Sequence, residues 1–299
     1  MDIGAFIAAA VVGLVVGVLS GLLGIGGGTM MVPVFRLGFG LEAIQATATS
    51  LFTIIPTSLS GCVTHVRNKT CIVPIGVAAG VGGALTSPVG VWLASMSPAW
   101  LIMLAAALII GYSAFNMLRK AFKKPKAAPA QAAATRAGAN FPEANAADAS
   151  AADANGTPAD MAPVAAHAES SAFSVERKHL FMGVAIGLTA GLASGYVGVG
   201  GGFIMVPMFL SLLSLPMKKT SGTSLIAVTI LAIPGVIEQA MLGHIDFVAG
   251  IAMAVGSIPG AVLGAQLMKR VPERALRIFF GVFLLIMAVV LVVNEFAAA

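Results

Sequence analysis

The chain reads as an all-α, polytopic helical membrane protein built from two homologous repeats. Three observations predict this: a composition too apolar for a soluble core, a central stretch of different character, and a sequence match between the halves that flank it. Hydrophobic residues make up 58% of the 299 positions and charged residues only 10%, and the mean hydropathy is +0.97. Lipid must therefore be the solvent for most of this surface. Apolar runs able to cross about 30 Å of hydrocarbon, at roughly 20 residues each, recur towards both ends.

The first apolar segment, Ile3 to Leu23, follows a leader that carries Asp2 and no Lys or Arg, and no cleavage region comes after it. It is read as a retained helix rather than a signal peptide. Gly27 to Phe39, Ala43 to Val66, Cys71 to Met96 and Ala99 to Leu118 complete the first membrane repeat, residues 1–118. Residues 119–178 are rich in Ala, Pro, Asp, Asn and Ser and contain neither Leu nor Ile. Such a stretch cannot bury enough apolar surface to offset its ordering entropy, so it is expected to be a flexible linker, basic at its start (RKAFKKPK) and its end (ERKH). The second membrane repeat, 179–299, offers Leu180 to Val197, Gly201 to Leu215, Lys219 to Leu242, Ile245 to Met268 and Arg274 to Val293.

GLLGIGGGTMMVPVF from Gly21 matches GYVGVGGGFIMVPMF from Gly195 at nine of fifteen positions, an offset of 174. The same ungapped offset carries Thr49-Ser50-Leu51 onto Thr223-Ser224-Leu225, Gly61 onto Gly235 and Pro98 onto Pro272. This is an internal duplication. The second segment of each half is short for a crossing. As a re-entrant half-helix it would give four crossings per half and parallel repeats; as a short crossing it would give five and inverted repeats.

Charge separates the two. Arg67 and Lys69 follow the third segment of the first repeat, where the matching loop around Leu242 to His244 has no Lys or Arg. Lys218, Lys219, Lys269 and Arg270 fall where the first repeat has Ile44, Gln45, Ser95 and Met96. Basic residues at complementary loops are what the positive-inside rule requires of an inverted copy. Five crossings per half put Arg67, Lys69, the linker cations, Lys218, Lys219, Lys269, Arg270, Arg274 and Arg277 on one side, expected to be cytoplasmic, with Arg36 the exception. The linker is then cytoplasmic and both termini are outside. The net charge of +5 follows from this clustering and does not call for nucleic acid.

Why each half interrupts itself with glycines is the chemical question. A break at GIGGG lets one helix end and another begin inside the bilayer, which is tolerated only where the irregular backbone is buried in protein or lines a cavity. The helix that begins there presents unpaired N–H groups and the positive end of its dipole, an anion site in outline. A lone Gly-rich run serves close helix packing as readily. Two interrupted segments at matching positions instead point to a transporter site near the midplane. Candidate substrate-binding residues are Gly26, Gly27, Gly28, Gly200, Gly201 and Gly202 for backbone donors, and Thr49, Ser50, Thr223 and Ser224 for hydroxyls, with Pro33 and Pro207 supporting the helix breaks. Ser and Thr also bond their own helix backbone, an equally good account of any single one. Glu238 and His65 are candidate coupling groups, although both lie close enough to helix ends to be boundary residues.

Other chemistries find little support. GIGGG follows an apolar helix rather than a strand, which argues against a dinucleotide loop. Cys62 and Cys71 make neither a disulfide framework nor a metal site. No spaced ligand set or Ser, His and Asp arrangement indicates an enzyme, a metal or a cofactor.

The doubled GxGGGxxxVP motif, Gly24 to Pro33 and Gly198 to Pro207, each with a Thr-Ser pair ending seventeen residues after its proline, resembles the TauE/SafE family of membrane permeases, the sulfite exporters. The resemblance covers both halves and omits the linker. It implies secondary transport of small sulfur-containing anions, such as sulfite or organosulfonates, across the bacterial inner membrane. Export by alternating access of the two repeats around a midplane site is the resulting expectation. The alternatives are a channel, or a non-transporting assembly or sensor protein whose linker binds a cytosolic partner.

Overall fold

The computed structural model describes residues 3–97, 177–197 and 200–298, together with 101, 108, 111, 112, 114, 115, 118 and 119. Nine helices are bounded among them: α1 Ile3–Leu23, α2 Gly28–Phe39, α3 Ala43–Arg67, α4 Val73–Ser95, α5 Arg177–Val197, α6 Gly202–Leu212, α7 Met217–Met241, α8 Phe247–Leu267 and α9 Glu273–Ala298. The described residues are all-helical, with no strand. Most of the predicted linker and most of the fifth segment, Ala99 to Leu118, lie outside them. Six helices, α1, α3, α4, α5, α7 and α8, are long and apolar enough to cross a membrane.

Each of α1 to α4 begins 174 residues before one of α5 to α8: Ile3 and Arg177, Gly28 and Gly202, Ala43 and Met217, Val73 and Phe247. The boundaries differ most at three places: α9 runs five residues past the predicted Val293, α6 ends three residues before Leu215, and α5 starts three residues before Leu180 and takes Arg177 and Lys178 from the predicted linker. Both are exposed and both are good helix formers.

Glycine seams join the halves. A side chain at Gly13, Gly17 or Gly21 of α1 would collide with the backbone of Met253, Ser257 or Ala261 of α8. Gly187, Gly191 and Gly195 of α5 lie in the same way on Ala79, Gly83 and Ser87 of α4. Apolar side chains gain little from leaving lipid for one another, so close backbone approach across small residues is what holds such helices together.

These contacts also give helix directions. Along both seams the residue numbers rise together, so α1 runs with α8 and α4 with α5. Thr53 with Gly250 and Thr57 with Ser257 place α3 parallel to α8, and Gly76 with Ile226 and Gly80 with Ile230 place α4 parallel to α7. Between α3 and α7 the numbers run oppositely, His65 against Gly222, Gly61 against Leu225, Ser58 against Thr229 and Leu51 against Gly235. Thus α1, α3 and α8 point one way, and α4, α5 and α7 the other.

Because α1 and α3 are parallel, the chain must return along the bundle between them, and only the Gly24 to Gly27 break and α2 are available. Gly26 sits against Ile54, one residue from the midpoint of α3. The twelve residues of α2 rise roughly 18 Å, about half the length of the 25-residue α3. The left-handed glycine break begins the return and α2 continues it. Helices α4 and α5 are likewise parallel.

The polarity is inside out. Thr49, Ser50, Thr53, Thr57, Ser58, Thr220, Ser221, Thr223, Ser224 and Ser257 are fully buried, while Leu59, Val63, Leu85, Val89, Ile233 and Ile237 are exposed on helices of membrane-spanning length. Charge is segregated by end. The C-terminal ends of α3 and α8 share one end with the starts of α5, α7 and α9, which gathers Arg67, Lys69, Arg177, Lys178, Lys218, Lys219, Lys269, Arg270, Arg274 and Arg277. The Lys218 ammonium reaches the Lys269 carbonyl there at 3.4 Å. Arg36 lies towards the other end, with Glu42, Glu238 and Asp246.

Candidate functional site

The break after α1 is built from backbone that only glycine tolerates: Gly24, Gly26 and Gly27 hold φ of +76°, +83° and +87°. Gly27 caps α2 with its carbonyl, which accepts from the Met30 and Met31 amides at 3.1 and 3.0 Å. No side chain caps the first N–H groups of α2, and the same holds for α6 at Gly201. Those amides keep their donor capacity and the dipole's positive end.

The two breaks meet. A Cβ on Gly202 would collide with the Ile25 carbonyl, and one on Gly200 would lie 3.1 Å from Ile54. Gly26 lies between Ile54 and Val228, each one residue from the midpoint of its helix, α3 or α7. Glycine positions 26–28 and 200–202 are thus brought together halfway along the long helices.

The Thr-Ser pairs are placed differently. The Thr49 hydroxyl accepts from the Asp246 amide at 3.0 Å. The Thr223 hydroxyl accepts from the Ile72 amide at 2.9 Å and donates to the Lys219 carbonyl at 2.7 Å. Asp246 and Ile72 are themselves equivalent positions, so each threonine ties the opposite half's loop before its fourth helix. The Ser224 hydroxyl donates to the Gly24 carbonyl and so holds the first break itself. Ser50 is fully buried and its hydroxyl has no partner among the described residues. Pro33 and Pro207 lie inside α2 and α6, which continue through them; the glycines make the breaks.

Two further hydroxyls were not singled out from the sequence. Ser20 and Thr29 are 1% and 3% exposed, and neither hydroxyl has a partner among the described residues. Ser20 lies beside Gly27, its Cβ 3.6 Å from where a Gly27 side chain would begin, and Thr29 is in the first turn of α2. Buried unpaired hydroxyls each cost about 1–3 kcal/mol, so an arrangement of them at a helix start asks for a ligand. The repetition of Ser20 as Ser194 at the 174-residue offset is the signal that could have found one of them.

His65 and Glu238 lie towards the ends of the long helices, away from the mid-bundle glycines. The fully buried His65 ring donates from Nε2 to the Gly21 carbonyl at 2.9 Å, and its Nδ1 lies 2.7 Å from the Thr70 hydroxyl. Nε2 thus fastens the end of α3 to that of α1, and Nδ1 fastens it to the loop that follows α3. Glu238 is half-buried in the last turn of α7. Cys71, between α3 and α4, has its thiol pushed up to about 11 by burial and by neighbouring Cys62, so it stays protonated. No cluster of metal-ligating side chains occurs among the described residues.

The chain matches the family model described as Sulfite exporter TauE/SafE over residues 9–291. It is 23% identical over 288 residues to the Probable membrane transporter protein YunE of Bacillus subtilis, covering 94% of this chain and 95% of that one. To the Probable membrane transporter protein YdhB of the same organism it is 25% identical over 262 residues, 87% and 89% of the two chains. To the Probable membrane transporter protein MJ0441 of Methanocaldococcus jannaschii it is 22% identical over 291 residues, 93% and 91% of the two chains. No solved structure matches it. With its inside-out helical bundle interrupted at duplicated glycine breaks, and a family match spanning both halves, the chain belongs to the sulfite exporter TauE/SafE family of membrane transporters.

Proposed function

We propose that this transporter moves a small sulfur-containing oxyanion, such as sulfite or an organosulfonate, out across the bacterial inner membrane. The observation that carries the reading is the meeting of two uncapped helix starts at mid-bundle, one of them flanked by the unpartnered hydroxyls of Ser20 and Thr29. Backbone N–H groups at Gly26 to Gly28 and Gly200 to Gly202 supply donors to the oxyanion, and Ser20 and Thr29 add hydroxyls without putting a permanent charge in lipid. Thr49, Thr223 and Ser224, whose hydroxyls already bond backbone, hold the two halves in register around it. Ser50 remains available as a further donor.

The halves are read as an inverted duplication, which the antiparallel course of the equivalent helices α3 and α7 supports. Rocking of one half against the other around the breaks then gives alternating access. The cation-rich end faces the cytoplasm by the positive-inside rule, which puts the linker inside and both termini outside. An inside-negative potential favours anion exit by about 2.3 kcal/mol per charge per 100 mV, so export needs no coupled ion and no role for His65 or Glu238 as proton carriers.

The test is sulfite flux from proteoliposomes. Removing both free hydroxyls with Ser20→Ala and Thr29→Val takes no protein hydrogen bond away, so the fold should keep or gain stability while the half-saturating sulfite concentration rises about tenfold or more. Unchanged flux kinetics in a stably folded variant would move the anion away from α2. Flux that never saturates and shows no counterflow would replace the transporter with a channel.

A further inference from the structure

We infer that the groove between α3 and α8 at the cation-rich end is a binding site for an anionic phospholipid. The groove measures about 530 Å³ and is lined along α3 from Pro56 to Asn68 and along α8 from Ile258 to Gln266. Since α3 and α8 are parallel, it runs from the middle of the bundle to its end. Its inner wall is aliphatic, with Leu59 and Val63 51% and 43% exposed. Its outer end carries Arg67, Asn68 and Gln266.

The polar groups within the trough are already satisfied. Ser60 donates to the Thr57 and Ile258 carbonyls at 2.8 and 3.2 Å, and Thr64 to the Ser60 carbonyl at 3.0 Å. Those at the outer end are not: the Asn68 amide nitrogen is buried with no partner among the described residues. The last carbonyls of α3 are covered by the Asn68, Lys69 and Thr70 amides, so an incoming anion meets donors rather than bare acceptors. An aliphatic trough ending in a guanidinium and two amides matches one acyl chain joined to a phosphate headgroup.

The duplicated position argues that the charge is specific. At the 174-residue offset, Arg67, Asn68 and Gln266 become Met241, Leu242 and Trp92, and Thr64 becomes Glu238. The groove's counterpart at the opposite end of the bundle thus lacks a cation and has gained a carboxylate. Only the end crowded with Lys and Arg is fitted for an anionic headgroup, whose attraction is about 1 kcal/mol, or fivefold, per nearby cation. The site is independent of where the transported anion binds.

Native mass spectrometry of the full chain in detergent, titrated with phosphatidylglycerol and phosphatidylcholine of identical acyl chains, tests this. Phosphatidylglycerol should be retained at least fivefold better, and Arg67→Gln with Gln266→Leu should abolish that preference. Val262→Trp, which fills the trough, should weaken retention of both lipids, and provides an independent variant if the first does not fold. Equal retention of the two lipids by the unaltered protein, or an intact preference in folded Arg67→Gln/Gln266→Leu, overturns the proposal. Displacement by millimolar inorganic phosphate would make it a soluble-anion site instead.

Discussion

Gly26 and Gly243 both hold positive φ, at +83° and +72°, yet their surroundings differ. A Cβ on Gly243 meets nothing within 4 Å, whereas one on Gly26 would lie 2.6 Å from a Val228 methyl. Alanine at either position costs about 1–2 kcal/mol for the left-handed backbone. Gly26→Ala should cost more, because the middle of α7 must also move. Thermal unfolding in detergent should rank Gly26→Ala below Gly243→Ala; equal midpoints would mean the breaks are not packed against the midpoints of the long helices. At this scale sequence reading reached the glycines, because φ preference is a property of the residue itself. It could not reach the partners of Thr49 and Thr223, whose hydroxyls bond amides 197 and 151 residues away.

Helix α2 shows what an element's length alone leaves open. Twelve residues are compatible with a re-entrant hairpin or with a short crossing. The parallel course of α1 and α3 requires a return along the bundle between them, begun by the Gly24 to Gly27 break and continued by α2. The seams make a second element-scale point. Gly191 lies directly on the backbone of Gly83 and on the Thr86 hydroxyl, while Gly4 at the start of α1 has nothing within 4 Å. Gly191→Leu should force α4 and α5 apart, at a cost of several times the about 1–3 kcal/mol typical of an overpacked methylene or two. Size-exclusion chromatography should show loss of the monodisperse peak for Gly191→Leu and none for Gly4→Leu.

Charge segregation belongs to the molecule as a whole. Complementary loops, each carrying two or three basic residues, converge at one end because equivalent helices run oppositely. An alkaline phosphatase fused after Ala299 should be active and a cytoplasmic fluorescent reporter there dark; the reverse result would sink the inverted arrangement. If the two membrane halves alone form the transporter, deleting Ala127 to Ala172 should leave sulfite flux within about twofold of the full chain, since the remaining quarter of the tether still reaches up to about 45 Å when extended. Loss of flux from a well-folded deletion variant would instead favour a linker that recruits a cytosolic partner.

Composition by itself determined that lipid is the solvent, because 58% hydrophobic residues cannot be covered by 10% charged ones. Self-similarity determined that the chain is written twice, and glycine spacing determined where its helices break. The tertiary structure alone decided that the two breaks touch, that Ser20 and Thr29 stand unpaired beside one of them, and that the Thr-Ser pairs are mostly occupied as struts. The reason is range. Solvent preference and φ are read residue by residue, whereas a hydroxyl is free or engaged according to a partner that only the packing of distant helices brings within 3 Å.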